Sequence, residues 1–412
     1  MTRAVWLLAG FFVVLSGCSV NEIVTAEQTE LVVAEAPPDE SMLLDIGVVE
    51  FETGIDENND PEESGIYNEI RSAEVRYLPY HLKTTLQGTG HWGAVRVIPS
   101  REAFTDIVID GRIEQSDGEF VVLEVIVHDS AGNHWYTREY ETQTGISSYS
   151  DNRDKREDPY QKVFNDIAND LQAYVQELPP KTVSDVRRTT ELKFFADMSP
   201  SAYGEHLDYD EDGIAEIVRL PADNDPSVDR LRQIRERDRL VVDTLNEHYA
   251  NFYYGIAIPY HSWRKTAREE SVNYRQVRRS AMMQTLIGAV VLAGSLAYDA
   301  NSSSYSKRQM QRGLQNVAIG QGFEALIGGI SRRSEAKMHL ESIRELSESF
   351  GAEAAPMVVT VEGETRQLTG TAEAQYESWR RILKQIYEAE TGFVETADSP
   401  DADPVRVAEP TG

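Results

Sequence analysis

The chain is poor in cysteine and, relative to its acidic residues, in basic side chains. Its single cysteine among 412 residues, Cys18, excludes an internal disulfide and leaves no second thiol for metal binding or catalysis. Lys and Arg number 40 against 69 Asp and Glu, which gives a net charge of −29. Because nucleic-acid binding needs clustered basic side chains that neutralise phosphates, this balance argues against nucleic acid as a partner.

The motifs of common enzyme classes are also missing. The eight histidines are scattered and none forms His-Glu-x-x-His, so zinc hydrolysis has no support. No G-x-S-x-G, phosphate-binding loop or G-x-G-x-x-G occurs in a usable context. Ser262 and Lys265 match S-x-x-K, but the partner motifs of that enzyme class are absent. The sequence therefore predicts a protein that is not an enzyme, with a cell-wall or lipid enzyme as the weakest alternative.

The N-terminus has the composition of a secretory signal, residues 1–17. Its apolar run, 4–14, is shorter than the roughly 20 apolar residues of a membrane-spanning helix. The run leads into Leu-Ser-Gly and Cys18, which resembles the lipobox of bacterial lipoproteins. The resemblance implies cleavage before Cys18 and acyl chains on it, and Ser19 in place of aspartate implies the periplasmic face of the outer membrane. The alternative is an ordinary signal peptide that contains a cysteine.

A first folded domain is expected after a short tether. Residues 18–41 lack periodicity and are acidic, which is typical of a solvated segment between lipid and domain. Residues 42–178 alternate between β-rich and helical patterns and are predicted to form a small α/β domain. Its elements, in the order β-α-β-β-β-α, are expected at 43–52, 73–87, 94–98 with 106–114, 120–128, 134–140 and 160–178.

Three segments of this domain resemble a known family. They are YLPYHLKTTL at 77–86, GHWGAVRV at 90–97 and DIVIDGRI at 106–113. They look like the small α/β domain of envelope lipoproteins, among them the auxiliary lipoproteins of ABC-type lipid transporters and the periplasmic domain of the curli secretion channel. The motifs concerned are structural. The resemblance therefore implies a fold and an envelope role rather than an activity.

The second half is predicted to be mainly helical, so the fold class is α+β. Residues 179–224 follow a Pro-Pro pair and are expected to be a linker with an acidic loop. Residues 225–394 show helical periodicity, a short β-hairpin near 357–368 and a final helix at 372–391. The stretch 225–345 has 18 Lys and Arg against 13 Asp and Glu, a net charge of +5. The acidic, proline-bearing tail 395–412 is predicted to be disordered.

One motif in the linker suggests a calcium site. Residues 208–216 read DYDEDGIAE, with carboxylates at positions 1, 3, 5 and 9 and a glycine for the sharp turn. The twelfth position is Arg219, which argues against an EF-hand because its bidentate glutamate is missing, and the loop resembles that of FG-GAP repeats instead. The alternative is an acidic surface turn. The expected ligands are the side chains of Asp208, Asp210, Asp212 and Glu216 and the carbonyl of Ile214.

An apolar segment and a glycine-rich segment suggest a helical hairpin at 281–330. Small residues recur at a spacing that lets two helices approach closely. Three interpretations stay open: a hairpin buried in the helical domain, self-association through the small residues, and membrane insertion. The residues that define this hairpin are Gly288, Ala289, Ala293, Ala297, Gly320 and Gly322.

The aromatic stretch 249–263 has two interpretations as well. Its six large rings are spaced as in the seam of a helical core, with Pro259 predicted to kink the chain. Alternatively, rings beside Arg264, Lys265 and Arg268 hold a glycan or a lipid head group.

These features together predict an outer-membrane lipoprotein that acts as a non-enzymatic accessory or assembly factor of an envelope machine. Its partners are expected to be the membrane, through lipid on Cys18, and envelope proteins. The alternative is an oligomeric export or pore component that inserts 281–330.

Overall fold

The computed structural model describes residues 28–55, 67–101, 103–150, 157–222, 224–297, 338, 341–349, 357–361 and 364–392. The elements in these ranges are β1 (Ile46–Val49), α1 (Asn68–Thr89), β2 (Val95–Ile98), β3 (Ile107–Ser116), β4 (Phe120–Asp129), β5 (His134–Gln143), α2 (Gln161–Glu177), α3 (Pro180–Met198), α4 (Pro200–Tyr203), β6 (Leu207–Tyr209), β7 (Ala215–Ile217), α5 (Pro226–Ala297), β8 (Met357–Val361), β9 (Glu364–Leu368) and α6 (Ala372–Thr391).

A five-stranded mixed sheet organises the first half of the fold, in the order β2-β1-β3-β4-β5. β1 is parallel to both of its neighbours, whereas β3, β4 and β5 pair antiparallel. Ile46 and Val48 of β1 are fully buried. A short apolar strand without polar alternation is typical of a central strand with structure on both of its faces. β1 is therefore the centre of this half.

The predicted fold class is confirmed: an α+β chain whose sheet comes first and whose mainly helical part with a short hairpin follows. The sheet has one strand more than the predicted order, because the segments 94–98 and 106–114, which that order counts as one β element, form two separate strands, β2 and β3. These two strands lie on opposite sides of β1. Apolar periodicity identifies each segment as a β-strand, but it does not show which edge of β1 each segment pairs with.

Two hydrophobic clusters form the core, and α5 contributes to both. The first lies between the sheet, α1 and α2, and it includes Phe252, Ile256 and Tyr260 of α5. The second lies among α3, α5 and α6 and includes Val97 and Ile98 of β2. Helix α5 therefore packs against both the α/β half and the remaining helices.

The segment predicted as a linker, 179–224, is more structured than expected. Most of its first half is α3, whose Val183, Phe194 and Phe195 are fully buried. The Pro-Pro pair that suggested a break starts this helix, since Pro180 occupies its first turn. Proline is favoured there because that position makes no intrahelical N–H hydrogen bond.

The N-terminal segment contacts the fold before the first strand begins. Within the predicted tether 18–41, three hydrogen bonds of 2.7–2.9 Å join residues 29–32 to Asn165 and Asn169 of α2. Leu31 packs against the first hydrophobic cluster. The part of the tether from residue 29 onward is therefore attached to α2, and Cys18 lies outside the described residues.

The last elements agree closely with the sequence pattern. β8 and β9 form the predicted hairpin, and α6 spans the predicted 372–391. The hydroxyl of Thr371 caps the start of α6 by accepting from the amide of Ala374 at 3.2 Å. Gly392 ends the helix at a φ of 72°. A capped helix with one apolar face is the kind of element that sequence defines best.

Candidate functional site

The most extensive polar cluster lies where α5 meets α1 and α2, and Arg264 is at its centre. Arg264 is 1% exposed, and its Nη1 and Nη2 each donate to a different oxygen of Asp158 at 2.8 Å. The rings of Tyr260, Tyr160 and Tyr77 surround the guanidinium, with centroids 4.3, 4.9 and 5.8 Å from Cζ. Burial acts to raise the pKa of Asp158, but the Arg264 guanidinium holds that pKa below its usual range. The ion pair therefore stays charged.

A second buried carboxylate belongs to the same cluster. Glu74 of α1 is fully buried and accepts hydrogen bonds from Ser116 Oγ at 2.5 Å, from Tyr260 OH at 2.6 Å and from Arg71 Nη1 at 3.2 Å. Burial raises the pKa of Glu74, and Arg71 and the hydroxyl donors only partly oppose that shift. Three separate elements thus meet at one carboxylate, which fixes their relative positions.

His81 of α1 completes this group, which we call the junction cluster: Glu74, His81, Asp158, Arg264 and their hydrogen-bond partners. His81 Nδ1 is 2.7 Å from Tyr253 OH, and its Nε2 is 2.9 Å from Gln161 Oε1. Since the amide oxygen of Gln161 only accepts, Nε2 carries the proton and Nδ1 accepts from the tyrosine. Burial lowers the pKa of His81.

The turn between β3 and β4 closes one side of the junction cluster. Gly118 has a φ of 81°, and its amide donates to Tyr160 OH at 2.9 Å. A Cβ at this position would lie 2.9 Å from the amide nitrogen of Arg268 and still closer to the carbonyl oxygen of Arg264. Only glycine lets the backbone of α5 approach the turn so closely.

The junction cluster corrects one of the interpretations of the aromatic stretch. Four of the six rings in the stretch 249–263 are buried, as predicted for the seam of a helical core, whereas Tyr254 is 68% exposed. Arg264 does not stand beside exposed rings ready for a glycan or head group, because it is buried and paired with Asp158. The burial of Arg264 could be predicted from the sequence, because Arg264 follows Tyr260 by four residues and therefore lies on the apolar face of the helix.

The residues predicted to bind calcium form the hairpin of β6 and β7. The Asp210 carboxylate accepts from the amides of Asp212 at 3.0 Å and Ile214 at 2.8 Å, and the Ile214 carbonyl accepts from the amide of Asp210. Asp208 and Glu216 are opposite each other in register. Across the described residues, no three His, Cys, Asp or Glu side chains are grouped so as to hold a metal ion. Calcium binding stays a prediction from the motif.

The predicted small-residue hairpin is only partly within the described chain. The backbone of 281–297, with Gly288, Ala289, Ala293 and Ala297, continues α5, and the side chains there are not described. Gly320 and Gly322 lie outside the described residues. Among the helices that are described, none is both long and apolar enough to cross a membrane.

An open cleft of about 480 Å³ lies between α3, α5 and the segment 40–45, a feature that the sequence did not indicate. We call it the arginine cleft. Its lining comes from parts of the chain that are far apart in sequence, so no local motif marks it. The four arginines on its walls are Arg187 and Arg188 of α3 and Arg235 and Arg239 of α5.

Two of these arginines differ in whether they form ion pairs. Arg239 Nη2 pairs with Asp45 at 3.0 Å, and its Nη1 pairs with Glu236 at 2.7 Å. Arg235 Nε is buried without a hydrogen-bond partner, and among the described residues no salt bridge reaches Arg235. Burial and the neighbouring Arg239 lower the pKa of Arg235. The arginine cleft therefore contains a guanidinium that forms no ion pair with the described residues and can still donate hydrogen bonds.

Comparison with known proteins adds no relative: no family model, no curated protein and no solved structure matches this chain. The likeness of residues 77–113 to the domain of envelope lipoproteins therefore stays a prediction.

Proposed function

We propose that this protein is a lipid-anchored factor on the periplasmic face of the bacterial outer membrane. In this proposal it acts without catalysis, as an accessory or assembly component of an envelope transport or assembly machine. The Leu-Ser-Gly-Cys segment ending at Cys18 supports the anchor, and the acidic composition supports protein rather than nucleic-acid partners.

The observation that carries the partner-binding role is an apolar stripe on α5. Leu240, Tyr254 and Ile258 are 66%, 68% and 79% exposed. At 100° per residue these positions lie within about 40° of one another around the helix axis, and they span about 27 Å along it. The exposed polar residues Glu247 and Asn251 lie on the same face between Leu240 and Tyr254, so the stripe consists of one apolar side chain at one end and two at the other. Large apolar side chains aligned on one exposed face are typical of a surface that binds another protein.

The bonding of the titratable groups in the junction cluster supports a structural rather than a catalytic role for them. Asp158, Glu74 and His81 each bond to side chains from at least one other element. Helix α5 is thereby fixed to the α/β half, so that the apolar stripe is presented on a rigid support. The proposed working surface is the stripe, and the junction cluster holds it in place.

Site-specific photocrosslinking in cells tests this proposal. A photoreactive amino acid at position 254 is expected to capture one envelope protein, and position 258 should capture the same one. Position 209 is the matched control, since Tyr209 is also an exposed tyrosine, 53% accessible, but lies on β6 away from the stripe. Equal adducts from 254 and 209, or none from either, would contradict the partner-binding role.

The anchor has its own test. Replacing the lipidated residue, Cys18→Ser, is expected to move the protein from the membrane fraction to the soluble fraction, because acyl chains provide the lasting attachment. Retention in the membrane fraction would contradict a lipid-only attachment.

The continuity of α5 favours one second candidate, an oligomeric export or pore component. The helix runs without interruption from Pro226 to Ala297 and therefore includes the first part of the segment proposed to insert, 281–330. A protease-cleavable tag placed within 299–307 separates the two functions in intact outer-membrane vesicles. Protection of that tag supports insertion, and cleavage as rapid as that of a tag at the chain terminus refutes it.

A further inference from the structure

The arginine cleft contains a cation that the protein itself does not neutralise. Arg235 lines the cleft, its Nε is buried without a hydrogen bond, and Arg239 lies beside it on the next turn of α5. Arg235 as a whole is half-buried, and partly burying a cation without partners is costly, a cost to which a like charge nearby adds. An external anion in the cleft would relieve both effects.

Of the four carboxylates that line the cleft, Glu40 is exposed, and the other three are bonded to other groups. Asp45 is paired with Arg239 and also accepts the amide of Ala94 at 2.8 Å. Glu191 pairs with Arg232 at 2.8 Å. These carboxylates act on Arg235 only at a distance, so the protein provides no direct counter-ion for it.

The third nearby carboxylate, Asp106, is engaged as well. It accepts from Thr190 Oγ1 at 2.6 Å and from the amide of Asp45 at 2.9 Å. Burial raises the pKa of Asp106, and its hydrogen bonds to Thr190 and to the amide of Asp45 oppose that shift.

The opposite wall provides further donors. Arg187 of α3 donates from Nη1 to the carbonyl oxygen of Glu40 at 2.9 Å, which is a neutral acceptor, and no salt bridge within the described part of the chain reaches Arg187. Arg188 lies next to it on the same wall, with Asp185 at 3.8 Å. Arginines of two helices therefore face a common space from different sides.

We propose that the arginine cleft binds a phosphate-bearing anion, with Arg235 and Arg187 donating to its oxygens. The planar fork of donors on a guanidinium matches the oxygens of a phosphate and binds two of them at once. A volume of about 480 Å³ is large enough for a phosphate with an attached organic group. The shared chemistry fits both a soluble phosphate compound and the head group of an anionic phospholipid.

Thermal unfolding of the full-length chain in a neutral detergent tests the site. Inorganic phosphate and pyrophosphate are expected to raise the melting temperature relative to sodium chloride at equal ionic strength, and pyrophosphate more than phosphate. Arg235→Gln is expected to weaken pyrophosphate binding at least tenfold, a loss of about 1.4 kcal/mol. No stabilisation by either compound overturns the proposal, as does an equal or larger effect of citrate, which carries carboxylates only.

The matched control is Arg230→Gln. Arg230 lies on the same helix and loses the same charge on substitution, but it pairs with Glu390 on α6 and does not line the cleft. Equal loss of pyrophosphate binding in both variants would indicate a general charge effect and would overturn the site. Retention in Arg230→Gln with loss in Arg235→Gln supports it.

A further arm distinguishes the two sources of the phosphate. Dioctanoyl phosphatidylglycerol is compared with dioctanoyl phosphatidylcholine in the same assay. Stabilisation by the anionic lipid that is lost in Arg235→Gln assigns the site to a head group, whereas stabilisation by pyrophosphate alone assigns it to a soluble compound. This assay does not involve protein partners, so its outcome is independent of the crosslinking experiment.

Discussion

Arg264 and Arg235 are two arginines of one helix, and their surroundings are opposite. Arg264 is buried among three tyrosine rings, and both of its terminal nitrogens bond to Asp158. Arg235 borders an open cleft and, in the described part of the chain, has no ion pair. The Nε atoms of both lack a hydrogen bond, so that feature alone does not distinguish them.

The two arginines differ in where the counter-ion of each guanidinium comes from. In the junction cluster the partner is part of the same chain, so the pair forms when the protein folds and contributes to joining α5 with α2. In the arginine cleft the three carboxylates that act on Arg235, which are Asp45, Asp106 and Glu191, already bond to other groups. A buried ion pair that is complete indicates a structural role, whereas an incomplete cation on a cleft indicates binding.

Substituting each arginine by methionine gives the largest expected contrast. Arg264→Met leaves Asp158 buried without its counter-ion, which is expected to lower the free energy of unfolding by about 3–5 kcal/mol. Arg235→Met removes a cation that is already unfavourably placed, so the free energy of unfolding should stay within about 1 kcal/mol of the parent or rise. Urea denaturation followed by tryptophan fluorescence measures both.

The double variant Arg264→Met with Asp158→Asn makes this test independent of how well the single variant folds. Removing both charges should recover part of the loss, because the uncompensated carboxylate is then gone. If Arg264→Met and Arg235→Met are equally destabilising, the distinction between the two arginines is wrong.

The elements that the sequence predicted well are those with one apolar face and a clear end. The final helix is an example: Tyr376, Trp379 and Leu383 follow at helical spacing and are buried, and Gly392 stops it. The sequence pattern does not reveal α3, because a Pro-Pro pair indicates a boundary between elements, although Pro180 is equally compatible with the first turn of a helix.

The sites were harder to predict for a physical reason. Asp158 and Arg264 are 106 residues apart, and Arg235 and Arg187 are 48 residues apart, so only the tertiary fold brings them together. The available signal was local: Arg264 is a charged residue on an apolar helix face, and such a residue needs a buried partner. Spacing does not identify that partner, and no spacing indicates the arginine cleft.

A smaller effect is expected at the turn that contacts the junction cluster. Gly118→Ala forces a side chain into a left-handed backbone position and against the α5 backbone, so the expected loss is about 3 kcal/mol. Gly213→Ala is the matched control. Its φ of 80° is nearly the same as that of Gly118, but a Cβ there meets nothing within 4 Å.

For Gly213→Ala only the conformational cost applies, about 1 kcal/mol. Chemical denaturation of both variants measures the difference, which isolates the contact between the turn and α5. Equal losses would mean that α5 does not rest against Gly118.

The smallest expected effect concerns pH. Burial lowers the pKa of His81 below the usual histidine value of 6.5, so the folded protein binds this proton less readily than the unfolded chain does. The stability that neutral His81 contributes is complete above pH 6.5 and is lost as the pH falls through that value toward the folded pKa. His81→Gln keeps a polar side chain between Tyr253 and Gln161 but does not titrate. Its free energy of unfolding should therefore fall less than that of the parent between pH 7 and pH 5, by about 1 kcal/mol or less. His134→Gln, which replaces an exposed histidine on β5, should follow the parent curve. Parallel curves for His81→Gln and the parent would contradict this prediction. They would show that the buried imidazole of the junction cluster takes up a proton as readily as one in water.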